Sequence, residues 1–147
     1  MSRELQILTE ALREKVYSYD AKKGYKEANK KIYRKLKRDK AGYSAVDFVM
    51  KLSDILVMLG DKRKYWKDPS WINTKNTQHA NRGLHTTNGE SMLWLADQMK
   101  KGDEYKHISA TISKNGNVSI GDGYHRLAAA NHLKLDTMKV NISISSL

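Results

Sequence analysis

Apolar residues recur at helical spacing along much of the first 60 positions. From Glu4 to Tyr17, Leu5, Leu8, Leu12 and Val16 fall three or four apart, with Ile7 and Ala11 widening the stripe. After Gly24, Tyr25, Ala28, Ile32 and Leu36 repeat the pattern, with Lys and Arg on the other faces. Ser44 and Asp47 have the spacing of a capping box, and Phe48, Val49, Leu52, Ile55, Leu56 and Leu59 predict a third, well-buried helix ending at Gly60. The stretch from Asp61 to Gly89 has no period. It reads as a long polar and aromatic loop with a short strand near Trp71-Ile72, and loops of that length are usually functional or mobile.

Beyond it the period changes. Thr87 and Glu90 form a second capping box, which opens a helix through Met92, Leu95 and Met99 to Gly102. Ile108, Ala110 and Ile112 alternate, as do Val118 and Ile120, and the Asn115-Gly116 pair between them is a hairpin signal. Gly121-Asp122-Gly123 leads into a helix starting near Tyr124, and a last strand alternates Met138, Val140, Ile142 and Ile144. Helices first, then α-β-β-α-β, define an α+β class. The expected organisation is a basic helical segment over 1–60, a loop over 61–88 and a compact core over 89–147.

Composition narrows the picture. The 147 residues contain 39% hydrophobic and 29% charged positions, enough for one globular core. There is no cysteine, which excludes disulfide scaffolds, thiol nucleophiles and Cys-based metal sites. No apolar run approaches the roughly 18 residues that span a bilayer, and no secretory h-region follows Met1, so a cytoplasmic protein with no membrane partner is expected.

The formal charge of +11 is concentrated. Between Lys22 and Lys40, ten basic residues face only Glu27 and Asp39. Lys22, Lys23, Lys26, Lys30, Lys31, Arg34, Lys35, Lys37 and Arg38 surround the apolar stripe and are candidates for contacts with DNA phosphates. No helix-turn-helix spacing is visible, so sequence-specific readout is not expected. Trp66, Trp71 and Tyr65 can stack bases or pin the loop onto the helices. His79 and His85 lie six apart in the same loop without a third ligand at useful spacing, and no metal is assigned to them.

The densest chemistry lies at the strand–turn–helix junction. Gly121 and Gly123 permit a tight turn and close backbone approach, and the N–H groups of the next helix's first turn offer a phosphate site. Arg126 can add a bidentate contact, His125 can exchange a proton, and Asp122 can cap the helix, bind a metal or act as a base.

The run from Val118 to Ala130, with Leu133 and Thr137 to Val140, resembles the signature of the ParB/sulfiredoxin-like superfamily, in which Asp-Gly-x-His-Arg precedes an Ala/Leu helix and a short strand. The helix Met92 to Met99 and the strand Ile108 to Ile112 sit where that family places its preceding elements, and the likeness covers about Asn81 to Ile144. It implies a phosphate-binding turn formed by Gly121, Gly123, Tyr124 and Arg126. Asn81-Arg82-Gly83 resembles the upstream Asn-x-Arg box, which would add Arg82. Tyr124 stands where sulfiredoxins carry their catalytic Cys, which excludes that activity, and His125 stands where partition proteins carry a second Arg. The form is similar to that of short phage and mobile-element proteins, whose compartment is the host cytoplasm.

Three functions follow from these residues. The leading one is a DNA-binding ParB-like protein with nuclease activity, using Asp122, His125 and Arg126 with Mg²⁺ or Mn²⁺. The second is an ATP- or CTP-dependent phosphotransferase or nucleotide-gated switch at the same turn. The third is a non-catalytic effector that binds DNA or a host protein.

Overall fold

The computed structural model describes residues 15–39, 45–60, 69–74, 87–102 and 105–145. They build a four-stranded mixed sheet and five helices, an α+β arrangement. In chain order these are α1 (Tyr25–Arg38), β1 (Val46–Lys51), α2 (Leu52–Met58), α3 (Pro69–Ile72), α4 (Asn88–Lys101), β2 (His107–Ile112), β3 (Val118–Asp122), α5 (Tyr124–Leu133) and β4 (Thr137–Ile144). None of the described helices is long and apolar enough to cross a membrane.

The strands lie in the order β1-β4-β2-β3. β1 runs antiparallel to β4, β4 parallel to β2, and β2 antiparallel to β3. Alternation sends Phe48, Met50, Ile108, Ala110, Ile112, Met138, Val140 and Ile142 into the core, where Ile32 and Leu36 of α1, Leu52, Ile55 and Met58 of α2 and Leu127 and Ala128 of α5 cover them. Ala129 on α5 meets Leu95, Ala96 and Met99 of α4, so α4 packs on α5. The opposite sheet face is polar. There Asn141 Nδ2 donates to Asp47 Oδ1 at 2.8 Å, and the Thr111 and Ser143 hydroxyls lie 3.1 Å apart.

Several expected elements stand as read. α1 buries Ala28, Ile32 and Leu36, the Asn115-Gly116 hairpin joins β2 to β3, and Thr87 accepts from the Glu90 N–H at 3.2 Å as the N-cap of α4.

Three expectations are corrected. The helix predicted over 44–60 begins only at Leu52, because Val46 to Lys51 is the edge strand β1. Asp47 therefore lies in a strand and caps nothing, while Ser44 lies outside the described residues. Phe48, Val49 and Leu52 satisfy a helical period, but Phe48 and Met50 also satisfy a period of two, and pairing with β4 selects the strand. The helix predicted through Tyr17 does not reach its end. Val16 bridges Val49 in parallel, and the Tyr17 ring meets Phe48 edge-on at 5.2 Å. The earlier part of that prediction lies outside the described residues. The strand expected near Trp71-Ile72 is a single helical turn opened by Pro69, whose missing N–H costs nothing at a first helical position. The sheet and its core thus draw on both β1 and α1, not only on residues 89–147.

One polar residue organises this joint. Asn29 on α1 is fully buried, and its amide donates to the Met58 carbonyl at 3.0 Å and to the Gly116 carbonyl at 2.9 Å. Its Oδ1 accepts from the Tyr19 hydroxyl at 2.8 Å. Burial holds the Tyr19 phenol above its ordinary range, with the Asp54 carboxylate and Tyr17 adding to the shift, so the donor proton is retained. Gly116 has φ +83°, and a Cβ there would collide with the Lys26 carbonyl oxygen, so only glycine lets the hairpin dock on α1.

Candidate nucleic-acid interface and the strand–turn–helix corner

The charge of α1 divides by helical geometry. Lys31, Arg34, Lys35 and Arg38 follow an i, i+3, i+4, i+7 spacing and form one stripe beside the buried face. Lys26, Lys30 and Lys37 form a second stripe on the other flank with Tyr33, and Lys30 pairs with Glu27 at 3.2 Å. Lys22 and Lys23 precede the helix in a turn, where the Lys22 N–H donates to Asp20.

The first stripe faces the edge of β1 across a groove of about 930 Å³. Lys31, Arg34, Lys35 and Arg38 form one wall, Lys15, Val16, Tyr17 and Ser18 another, and Asp47, Phe48 and Val49 the floor. Among the described residues, five cationic side chains therefore line one concavity against a single carboxylate. Lys15 was not foreseen. It reaches the groove because Val16 pairs with β1, a contact that no local pattern announces. Of the nine basic candidates, four line this groove, while Lys22, Lys23, Lys26, Lys30 and Lys37 do not.

At the junction of β3 and α5, Gly121 is the extra residue of a bulge. Ser109 pairs with Asp122 and Ala110 with Ile120, which leaves position 121 unpaired. Gly123 is the N-cap of α5, with φ 127° and ψ 10°. A Cβ on it would lie 2.6 Å from Ile108 Cγ2, so packing of the turn onto β2 already requires glycine there. Asp122 ends β3 one position before that cap; its side chain, like the whole of Arg82, lies outside the described residues.

His125 and Arg126 are adjacent in sequence and about 100° apart around the helix. The His125 Nε2 lies 2.7 Å from Asn88 Oδ1, and the Asn88 amide donates to the Trp71 carbonyl at 2.8 Å. Because the amide nitrogen of Asn88 is thus spent on a carbonyl, its oxygen faces the imidazole, and Nε2 carries the proton. The Trp71 ring lies 5.6 Å from the imidazole. Arg126 turns the other way. Its Nη1 donates to His107 Nε2 at 2.9 Å, which makes that nitrogen the unprotonated one, and reaches the His107 carbonyl at 3.5 Å. The guanidinium carbon stands 5.4 Å from the centre of the Tyr105 ring, which meets Trp94 edge-on. Tyr124 is half-buried against the main core.

The corner thus joins Asn88, Trp71 and His125 on one side and His107, Tyr105 and Arg126 on the other. Asn88, His107 and Tyr105 were not singled out from the sequence. The alternation of β2 does place His107 on the polar face, but its pairing with Arg126 depends on how α5 crosses the strand. Among the described residues no three His, Asp or Glu side chains gather closely enough to hold a metal ion. No family model, curated protein or solved structure matches the chain.

Proposed function

We propose that this protein binds DNA through the phosphate backbone, held in the groove between α1 and the edge of β1. The observation that carries the reading is the convergence of Lys15, Lys31, Arg34, Lys35 and Arg38 on one concavity, with Asp47 as its lone acid among the described residues. A helix and a segment tied to the sheet fix the backbone positions of these cations before a polyanion arrives, so only their side chains are left to be ordered on binding. Such contacts release counterions and give affinity without base readout, in keeping with the lack of a recognition-helix pattern. The resemblance of Val118 to Val140 to the ParB/sulfiredoxin-like signature points to the same class of ligand.

Binding has more support than cleavage. A hydrolytic reading of Asp122, His125 and Arg126 needs their reactive groups to meet at one phosphate. His125 and Arg126 are instead held apart, by Asn88 on one side and by His107 and Tyr105 on the other.

The test compares two variants that each remove four charges. Lys31→Gln, Arg34→Gln, Lys35→Gln and Arg38→Gln together empty the groove wall; Lys22→Gln, Lys23→Gln, Lys26→Gln and Lys37→Gln leave it intact. With a labelled DNA oligonucleotide in low salt, the first set weakens binding on the order of 100-fold and the second by less than about fivefold. Equal losses would mean that overall charge, not the groove, attracts DNA.

A further inference from the structure

We infer that the DNA held here is single-stranded, and that it leaves the α1 groove, crosses β1 beside Asp47 and continues over the polar face of the sheet. This inference rests on the DNA-binding reading. A second groove, of about 660 Å³, lies on that face, and Asp47 and Val49 line both concavities, so the two adjoin at β1. Lys106 and Lys139 line the second groove, with Ser109 and Asn141 on its floor. Cationic side chains thus line both grooves, and among the described residues Asp47 is the only acid lining either of them.

The shape of the path selects the ligand. α1 packs on the inner layer of the sheet, whereas Asp47 and Val49 project from the outer face, in register with Asn141 and Lys139. A ligand following both grooves must therefore turn around an edge strand. Strands are spaced about 4.8 Å apart, so the turn is completed within roughly 10 Å. Duplex DNA, with a persistence length of about 50 nm, does not bend on that scale. A single strand does, and the Tyr17 ring in the first groove offers a surface for a base. Asp47 sits at the crossing, its carboxylate bonded by the Asn141 amide, and repels each phosphate that passes.

The experiment measures the affinity of the folded protein for a labelled single strand, for the duplex of the same sequence and for the matching RNA strand. The wild type binds the single-stranded DNA at least about tenfold tighter than the duplex. Lys139→Gln weakens the single strand roughly three- to fivefold and leaves the duplex unchanged; Asp47→Asn tightens the single strand by a similar factor. Arg34→Gln with Lys35→Gln weakens both forms. Duplex binding as tight as single-strand binding, or sheet-face substitutions without effect on the single strand, would overturn the path while the groove reading stands. No effect of the Arg34 and Lys35 substitutions on either form would overturn both. RNA bound more than about tenfold tighter than DNA would overturn the assignment to DNA.

Discussion

Replacing Asn29 with alanine lowers the unfolding free energy by about 3–5 kcal/mol, because two buried carbonyls lose their donor and a small cavity opens. The side chain is fully buried and bonds three separate parts of the chain: the end of α2 at Met58, the β2–β3 turn at Gly116 and the segment before α1 at Tyr19. Met58 and Gly116 are both buried, so neither carbonyl is open to bulk solvent that could replace the lost amide. Domains of this size unfold at a cost of about 5–15 kcal/mol, so the loss is a large share of the total. At about 2–4 °C per kcal/mol, the melting temperature falls by roughly 10 °C or more. Tyr19→Phe is the graded control. It removes the hydroxyl that donates to Asn29 Oδ1 and lies 3.3 Å from the Tyr25 carbonyl, leaves a single buried acceptor without its donor and costs about 1–2 kcal/mol. Calorimetric or denaturant unfolding of the two variants checks both values, and comparable losses would show that Asn29 does not join the three segments.

Gly123→Ala destabilises by about 3 kcal/mol: roughly 1–2 from placing an L-residue at positive φ and the rest from the collision with Ile108. The backbone there has φ 127°, and the added Cβ would lie 2.6 Å from a branched side chain rooted in β2. That branched carbon cannot swing aside as the end of a long side chain would. This separates two reasons for a glycine at the turn. If glycine serves packing, the alanine variant melts early, and its affinity for DNA, held in the α1 groove on the proposed reading, equals that of the wild type at temperatures where it is folded. If glycine serves the close approach of an anion, the variant loses no more than the roughly 1–2 kcal/mol of the positive φ, and phosphate or nucleotide binding is lost. The contact with Ile108 predicts the first outcome, and thermal melting beside DNA titration distinguishes them.

The parts of the fold that local chemistry dictates were legible in the residues. Asn115-Gly116 marks a turn that needs positive φ, Thr87 and Glu90 mark a helix start, and Met138 to Ile144 alternates strictly. The residues from Val46 to Lys51 misled, because Phe48, Val49, Leu52 and Ile55 fit a helical stripe. Only the partner strand β4, some ninety residues later, settles the period. Val16 is the same case, a contact made in three dimensions by a residue whose neighbours suggest a helix.

The site was legible to a similar depth. Spacing alone puts Lys31, Arg34, Lys35 and Arg38 on one stripe. What that stripe faces depends on β1 and Lys15, which arrive through tertiary pairing. At the corner, sequence brings Asp122, His125 and Arg126 into one run, but direction is set by partners: Asn88 draws His125 one way, and His107 with Tyr105 draws Arg126 the other. For His125 and Arg126, chain adjacency is therefore not convergence.

The groove is most directly tested by the salt dependence of DNA binding. For the wild type and for the variant carrying Lys31→Gln, Arg34→Gln, Lys35→Gln and Arg38→Gln, the logarithm of the binding constant is plotted against the logarithm of salt concentration. Each phosphate contact to a single strand contributes a slope of about 0.7, so four lost contacts flatten the line by roughly 3. A variant whose slope equals that of the wild type would contradict the account, since those four side chains would then touch no phosphate.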